Sequence, residues 1–412
     1  MVQCIINIAQ LVNVRTKNIL LRGNALQELP ILNNAYLVID KGLIKEYGFM
    51  HNLNINQFSE QQVIDAKHAT ILPCWCDSHT HLVFAATREE EFIDKIKGLS
   101  YADIAAKGGG ILNSAAKLNV ASEEDLYTAA LNRLNEVIAL GTGAIEIKSG
   151  YGLTVEAELK MLRVIKELKN NSPIPIKSTF LGAHTYPEQF KNNHQAYIHA
   201  IKNEMLPIIA QENLADYIDV FCEENFFSVN ETISICNAGK EYGLKTKIHA
   251  NQLSISGAVE AGVMLDAVSV DHLEMMNDNA INTLSTSNTI ATLLPTAAFF
   301  LRMNYAPARN LINKNAAVAL ASDYNPGSSP SGNMNFVNAI SCIQMKMLPE
   351  EAINASTING AYAMELEKQV GSITIGKNAN LIFTKQIPSL AYLPYSFGNN
   401  LINKVMINGK FI

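Results

Sequence analysis

The chain has 412 residues, 48% of them apolar and 17% charged, so it can bury a large core and is too apolar to be disordered. Its formal net charge of −6 offers no basic field for a phosphate backbone, which argues against a nucleic-acid-binding protein. Six cysteines (Cys4, Cys74, Cys76, Cys222, Cys236 and Cys342) are scattered too widely for a secreted disulfide framework, and Cys74-Trp75-Cys76 lacks the second pair a zinc ribbon requires.

The opening MVQCIINIAQLV has no basic leader and no small-residue cleavage site, so it does not read as a signal peptide. Residues 1–68 alternate and turn like short strands, rich in Val, Ile and Tyr and punctuated by Gly and Asn. From 69 onward the rhythm changes to apolar strand runs separated by amphipathic helical stretches. Eight runs read as strands: 70–76, 144–148, 176–181, 217–221, 245–249, 267–270, 289–294 and 317–321. Among the helices, SEEDLYTAALNRLNEVIALG starts at Ser122 with acidic residues in its first turn and stops at Gly141. The basic run 160–169, KMLRVIKELK, has charges spaced as on the wet face of a helix. The longest nearly apolar run, 290–301, contains Thr292, Pro295 and Thr296 and is too short to span a bilayer, so a soluble cytoplasmic protein is expected. After residue 365 the short-strand texture returns in QVGSITIGKNANLIFTK and NKVMINGKFI.

Repeated strand–helix alternation predicts a parallel sheet, and a count of eight predicts a closed (β/α)8 barrel over 69–365, a size that fold accommodates. The two chain ends, 1–68 and 366–412, would build a small β-sandwich beside it.

The polar residues that need explaining fall at the carboxyl ends of the predicted strands, where a barrel enzyme keeps its active site. His79 and His81 are two apart in an extended run, so both imidazoles can reach one ion. Asp77, just before them, is a candidate supporting partner. His249 ends the strand LKTKIHA, and His272 follows in SVDHLE. Each could singly be a hydrogen-bonded core histidine. Asp323 in ASDYNPGSSP could singly cap the Asn325-Pro326-Gly327 turn. Taken together, on the first, fifth, sixth and eighth strands, they converge on one barrel mouth.

This arrangement resembles the amidohydrolase superfamily, with H-x-H on strand one, histidines on strands five and six and an aspartate on strand eight. The resemblance covers nearly the whole chain. VGSITIGKNANLIF is similar to the superfamily's closing strand, with Asn380 where an aspartate is usual. The match sharpens to the imidazolonepropionase family through DSHTHLVFAATREEEF, SYADIAAKGGGI, IEIKSGYGL, TFLGAHTYP, KIHANQLS, SVDHLE and SDYNPGSSP, in that family's order. Gly108-Gly109-Gly110 by itself is only a flexible loop, because the frame of a phosphate-binding loop is absent.

The resemblance implies hydrolysis of the cyclic amide of 4-imidazolone-5-propanoate to N-formimidoyl-L-glutamate, a step of histidine degradation. It implies one metal ion per subunit, held by His79, His81, His249 and Asp323. That donor set suits zinc first and iron second. The lysine that bridges two metals in some superfamily members has no counterpart, since strand four runs into Cys222-Glu223-Glu224 and Lys148 follows strand two. Asp323 would move the proton, and His272 would orient the attacking water. Gln252 stands where some family members have glutamate and can hydrogen-bond the substrate but not ionise. Arg88 would hold the propionate carboxylate through its planar fork. Tyr101, Tyr151, His184, Asn325, Gly327 and Ser328 would complete the substrate site. A homodimer is a further family expectation. The alternatives are another cyclic amidase, a nucleobase-type deaminase, or a metal-holding binding protein without turnover.

Overall fold

The computed structural model describes residues 2–99, 103, 107 and 109–412. Tyr101 and Gly108 therefore lie outside the described residues.

Eight parallel strands run in the order of the sequence: Trp75–Asp77, Thr142–Lys148, Ile176–Ala183, Tyr217–Cys222, Lys245–Ala250, Ser269–His272, Ile290–Leu293 and Val318–Leu320. The second to eighth agree with the sequence reading to within two residues at either end. Their residues are almost all buried, as parallel strands covered on both faces require. The helices between them are capped as read: Ser122 accepts the Asp125 N–H at the start of Glu123–Ala139.

The barrel closes in an unusual place. No strand ladder joins the first and eighth strands. An isolated parallel bridge pairs Thr80 with Tyr324 just beyond their ends. There the His81 N–H donates to the Tyr324 carbonyl at 2.9 Å, and the Asp323 N–H donates to His79 at 3.0 Å. Asp77 completes the seam, its carboxylate taking the Ser322 N–H at 2.9 Å and the Ser322 hydroxyl at 2.5 Å. The supporting role suggested for Asp77 is thus to fasten the last strand to the first.

The predicted first strand is divided. Thr70–Pro73 joins the sheet made by the chain ends, and only Trp75–Asp77 enters the barrel. The run is apolar throughout, so periodicity could not register a change of partner; Pro73, with no N–H to offer, marks the break. The end sheet is mixed. Thr70–Pro73 lies at its centre, between Val2–Val12 and the returning strand Leu381–Thr384, with Ile402–Ile407 beyond. Ile5, Ile8, Leu37, Ile71, Leu381 and Phe383 pack in one cluster from both termini.

Asn380 sits where this sheet meets the barrel, almost fully buried. Its side-chain amide donates to the Gly143 carbonyl at 3.0 Å, and its oxygen accepts the Asn408 N–H at 2.8 Å. An aspartate could accept but not donate. Asn380→Asp is therefore expected to lower unfolding stability by about 1–3 kcal/mol, the cost of a buried unpaired carbonyl. Denaturant unfolding checks it, and a variant as stable as the parent would remove this account of Asn380.

The basic run on the helix Val155–Asn171 is less solvated than its spacing suggested. Lys160 donates to the carbonyls of Leu118, Asn119 and Ala121, Arg163 forks onto Glu212, and Lys169 pairs with Asp216 at 2.8 Å. These charges tether the helix to its neighbours, a use that spacing alone cannot reveal. All six cysteines are free thiols. Among the described residues no helix is long and apolar enough to cross a membrane.

Candidate metal centre and active site

Five predicted residues meet at the barrel mouth, each at most 2% exposed: His79, His81, His249, His272 and Asp323. The His79 and His249 rings lie 4.5 Å apart, and His272 is 5.4 Å from His249. Asp323 Oδ1 is 3.5 Å from His79 Nε2 and 3.6 Å from His81 Nε2, while His81 Nε2 and His249 Nε2 face each other at 3.4 Å. One ligand atom from each of His79, His81 and His249 falls within 4.8 Å of the others; the same holds for His79, His272 and Asp323.

Several backbones here adopt left-handed conformations that only glycine takes without strain: φ is +52° at Asp323, +84° at His272, +71° at Leu273 and +52° at Asn251. Such residues persist where surrounding contacts over-determine them, and they cluster at functional sites.

Carboxylates behind the ligands fix which nitrogen of each ring points forward. Asp271 Oδ2 lies 2.6 Å from His79 Nδ1, and Asp219 Oδ2 lies 3.0 Å from His249 Nδ1. At His79 the hydrogen-bonded Nδ1 then carries the proton and Nε2 presents a lone pair; at His249 the Asp219 carboxylate is close to Nδ1 without hydrogen-bond alignment. Burial, reinforced by neighbouring cations, holds His79 and His81 well below the ordinary imidazole range, so both stay neutral. Burial alone would raise Asp219, but His249 and Lys148 outweigh it and hold the carboxyl well below the usual range.

Whether these residues suit a metal can be judged from what they leave undone. His79 Nε2 and Asp323 Oδ1 are buried without a hydrogen-bond partner among the described residues. A buried polar atom left unpaired costs free energy, and an ion removes that cost for both at once. Three imidazole nitrogens and a carboxylate oxygen are donors that zinc and iron accept. The residues fit.

Beside them opens a cavity of about 730 Å³ whose wall includes His81, Arg88, Tyr151, His184, Gln252, Asn325, Gly327 and Ser328. Of the predicted substrate residues, only Tyr101 cannot be placed. Arg88 is held from one side: its Nε donates to Ser114 at 2.8 Å, its guanidinium lies 5.7 Å from the Tyr151 ring centre, and its buried Nη2 has no hydrogen-bond partner among the described residues. Ser114 belongs to the helix Ile111–Val120, which starts directly after Gly110. Gly327 allows the close approach, because a Cβ there would lie 2.5 Å from Arg88 Nη1.

Tyr151 is clamped by its neighbours: Gly150, Gly152 and Leu153 donate their N–H groups to the buried Glu158 carboxylate at 2.7–3.1 Å. Burial pushes its phenol well above the ordinary range, so it remains a hydrogen-bond donor. His184 stacks on His81 with ring centres 5.3 Å apart, and its Nδ1 donates to the Gly150 carbonyl at 3.0 Å. Burial, with His249 nearby, pushes its pKa down to about 3, leaving a neutral ring with Nε2 as acceptor. Asn325 is engaged within its own loop, accepting from Gly327 and Ser328 and donating to Asp323 O and Ser328 Oγ. It shapes the loop that lets Ser328 donate to Asp323 Oδ2 at 3.1 Å.

Sequence reasoning missed Asp219, Asp271, Glu146 and Lys247 and weighed Lys148 only as a metal bridge; all five are buried. Their signal was present: YIDVF, SVDH, IEIK and KTKIH each set a charge inside an apolar parallel strand, where charge is rare unless paired. Lys95 was also missed; it reaches the cavity and donates to Gly327 O at 3.3 Å.

The amidohydrolase family profile matches residues 70–412. An imidazolonepropionase of Flavobacterium johnsoniae is 55% identical over 413 residues, covering 100% of each chain. That of Christiangramia forsetii is 54% identical over 407 residues, covering 98% of each. A zinc-bound adenosine deaminase of Xanthomonas campestris shares the fold, with a TM-score of 0.66 at 15% identity over 93% of this chain and 89% of that one. With more than half its residues shared end to end with such relatives, the chain belongs to the imidazolonepropionases within the amidohydrolase family.

Proposed function

We propose that the chain hydrolyses 4-imidazolone-5-propanoate to N-formimidoyl-L-glutamate in histidine degradation, with one divalent ion on His79, His81, His249 and Asp323. The observation that carries this reading is the buried Nη2 of Arg88, without a hydrogen-bond partner among the described residues, in the same cavity as the donor cluster. A cation with an open fork beside a hydrolytic centre selects a small anionic substrate over a neutral nucleobase.

Held by His79, His81, His249 and Asp323, an ion (zinc before iron) would supply the acidification of an attacking water, to a pKa of about 7, and the polarisation of the substrate carbonyl. Arg88 takes the propionate carboxylate in two hydrogen bonds and so fixes the ring's position. Tyr151 donates to the substrate from its clamped loop, and His184 Nε2 accepts a ring N–H. Gln252 lines the wall, where its amide hydrogen-bonds ring atoms without exchanging protons.

Asp323 takes the proton released as water adds to the carbonyl carbon. It returns that proton to the ring nitrogen as the C–N bond breaks. Burial raises its carboxyl above the usual range, against His272 and His249, which suits a group that must both accept and release. His272 responds in the opposite way: burial disfavours its charge, but Glu274, then Asp323 and Asp271, overcome this and raise it. With its charged form favoured by these carboxylates, His272 is placed to donate to the oxygen that becomes negative in the tetrahedral intermediate.

The test is an ultraviolet assay on freshly generated imidazolone propionate, using chelator-stripped and zinc-restored protein. Stripped protein should leave the ring chromophore intact, and restored protein should consume it. Metal-replete protein that left the substrate untouched would overturn the assignment.

A further inference from the structure

Beneath the donor cluster lies a charged network that no step of the proposed reaction uses. Lys148, fully buried at the end of the second barrel strand, places its Nζ 2.6 Å from Glu146 Oε1, 2.8 Å from Asp219 Oδ2 and 3.6 Å from Asp271 Oδ2. The last two are the same oxygens that meet the donor histidines, Asp219 Oδ2 at His249 Nδ1 and Asp271 Oδ2 at His79 Nδ1. One ammonium therefore touches both atoms that decide how two ligand rings are turned.

The remaining oxygens are anchored elsewhere: Asp219 Oδ1 accepts the His249 backbone N–H at 3.1 Å, Asp271 Oδ1 accepts Ser269 at 2.6 Å, and Glu146 Oε2 pairs with Lys247. Glu146 Oε1 is shared between Lys148 and the Thr179 hydroxyl, whereas Asp219 and Asp271 each have one oxygen fixed by the barrel wall and the other beside Lys148. Without that ammonium, Asp219 and Asp271, on the strands either side of Lys245–Ala250, would lose the charge that balances both, and their oxygens would be free to separate.

The geometry points to Lys148 as a positioning residue of the metal centre, holding the two carboxylate oxygens that turn His79 Nε2 and His249 Nε2 toward a common point. This rests on the reading that His79, His81, His249 and Asp323 hold an ion. It also gives a lysine next to the active site a role that excludes metal bridging, because its nitrogen is committed as an ammonium to three carboxylates. Support of this kind behind a metal ligand is worth about 10–100-fold in affinity.

Zinc affinity, measured on the stripped full-length protein against a chromophoric chelator, separates positioning from charge balance. Three variants are compared with the parent: Lys148→Met, the double variant Lys148→Met/Glu146→Gln, and His249→Ala. The double variant removes one ammonium and one carboxylate together, so the network keeps its net charge. Positioning predicts zinc binding about 10–100-fold weaker in both Lys148 variants, with an altered visible spectrum of the cobalt-loaded protein. The double variant should nevertheless melt close to the parent when stripped. Parental zinc affinity in the double variant would overturn the inference and leave Lys148 a charge partner only. If Lys148→Met alone does not fold, the double variant still gives this answer. His249→Ala reports on the donor set itself: parental zinc binding there would sink the metal-site reading and not the role of Lys148 alone.

Discussion

Replacing Asp323 by asparagine is expected to lower kcat by at least about 10³-fold while the protein stays folded. Proton transfer by a positioned side chain is worth roughly 10²–10⁴. Here the same carboxylate is also a proposed ligand, so the loss of its charge adds to the loss of its basicity. Asparagine keeps the size and can still accept from Ser328, which now donates at 3.1 Å, so the loop 323–328 should hold its shape. The seam that closes the barrel there uses the Asp323 backbone N–H and not its side chain, so it survives the substitution. Steady-state kinetics with zinc content measured on the same sample gives the answer. A variant within tenfold of parental kcat and retaining its zinc would show that another group moves the proton, and His272 would be the next to test.

Arg88→Ala should raise KM for the propanoate substrate by about 10²-fold and change kcat much less. A charge-assisted, two-pronged hydrogen bond in a buried site is worth a few kcal/mol, and each 1.36 kcal/mol is tenfold in KM when the contact is made equally in ground and transition states. Arg88 is fixed before substrate arrives, by Ser114 and by the Tyr151 ring, so little ordering is left to offset the gain. Arg88→Lys should recover only part of the loss, because a lysine offers one point of charge instead of a fork. An analogue lacking the carboxylate provides the control: it should bind parent and Arg88→Ala alike. Equal KM values for the true substrate in both proteins would remove Arg88 from the site.

The fold was legible because parallel buried strands and amphipathic helices leave different periods in a sequence, and eight repeats of the alternation leave few architectures open. The point where the chain passes from end sheet to barrel was hidden, since Thr70–Pro73 and Trp75–Asp77 are equally apolar and only their partners differ. The candidate donor residues stood out because each falls at or just beyond the carboxyl end of an apolar strand. Their orientation could not, because it depends on Asp219 and Asp271, which reach their histidines across 30 and 192 positions of sequence. Spacing along one strand says that two rings share a face; it does not say which nitrogen faces forward. Asn325 illustrates the same limit, for its side chain is engaged by its own loop, a fact fixed by turn geometry and not by residue type.

The central place of Thr70–Pro73 in the end sheet bears on how the chain is made. Its neighbour on one side, Val2–Val12, precedes it, but its neighbour on the other, Leu381–Thr384, comes after the whole barrel. At roughly 5–20 residues per second, a ribosome needs on the order of 15–60 s to supply that strand. Throughout that interval Ile5, Ile8, Leu37 and Ile71 lack their partners Leu381 and Phe383, and one edge of Thr70–Pro73 stands open. The nascent chain thus carries an unpaired, apolar strand edge for most of its synthesis, which is the form of exposure that chaperones intercept and that invites strand-to-strand aggregation when they do not.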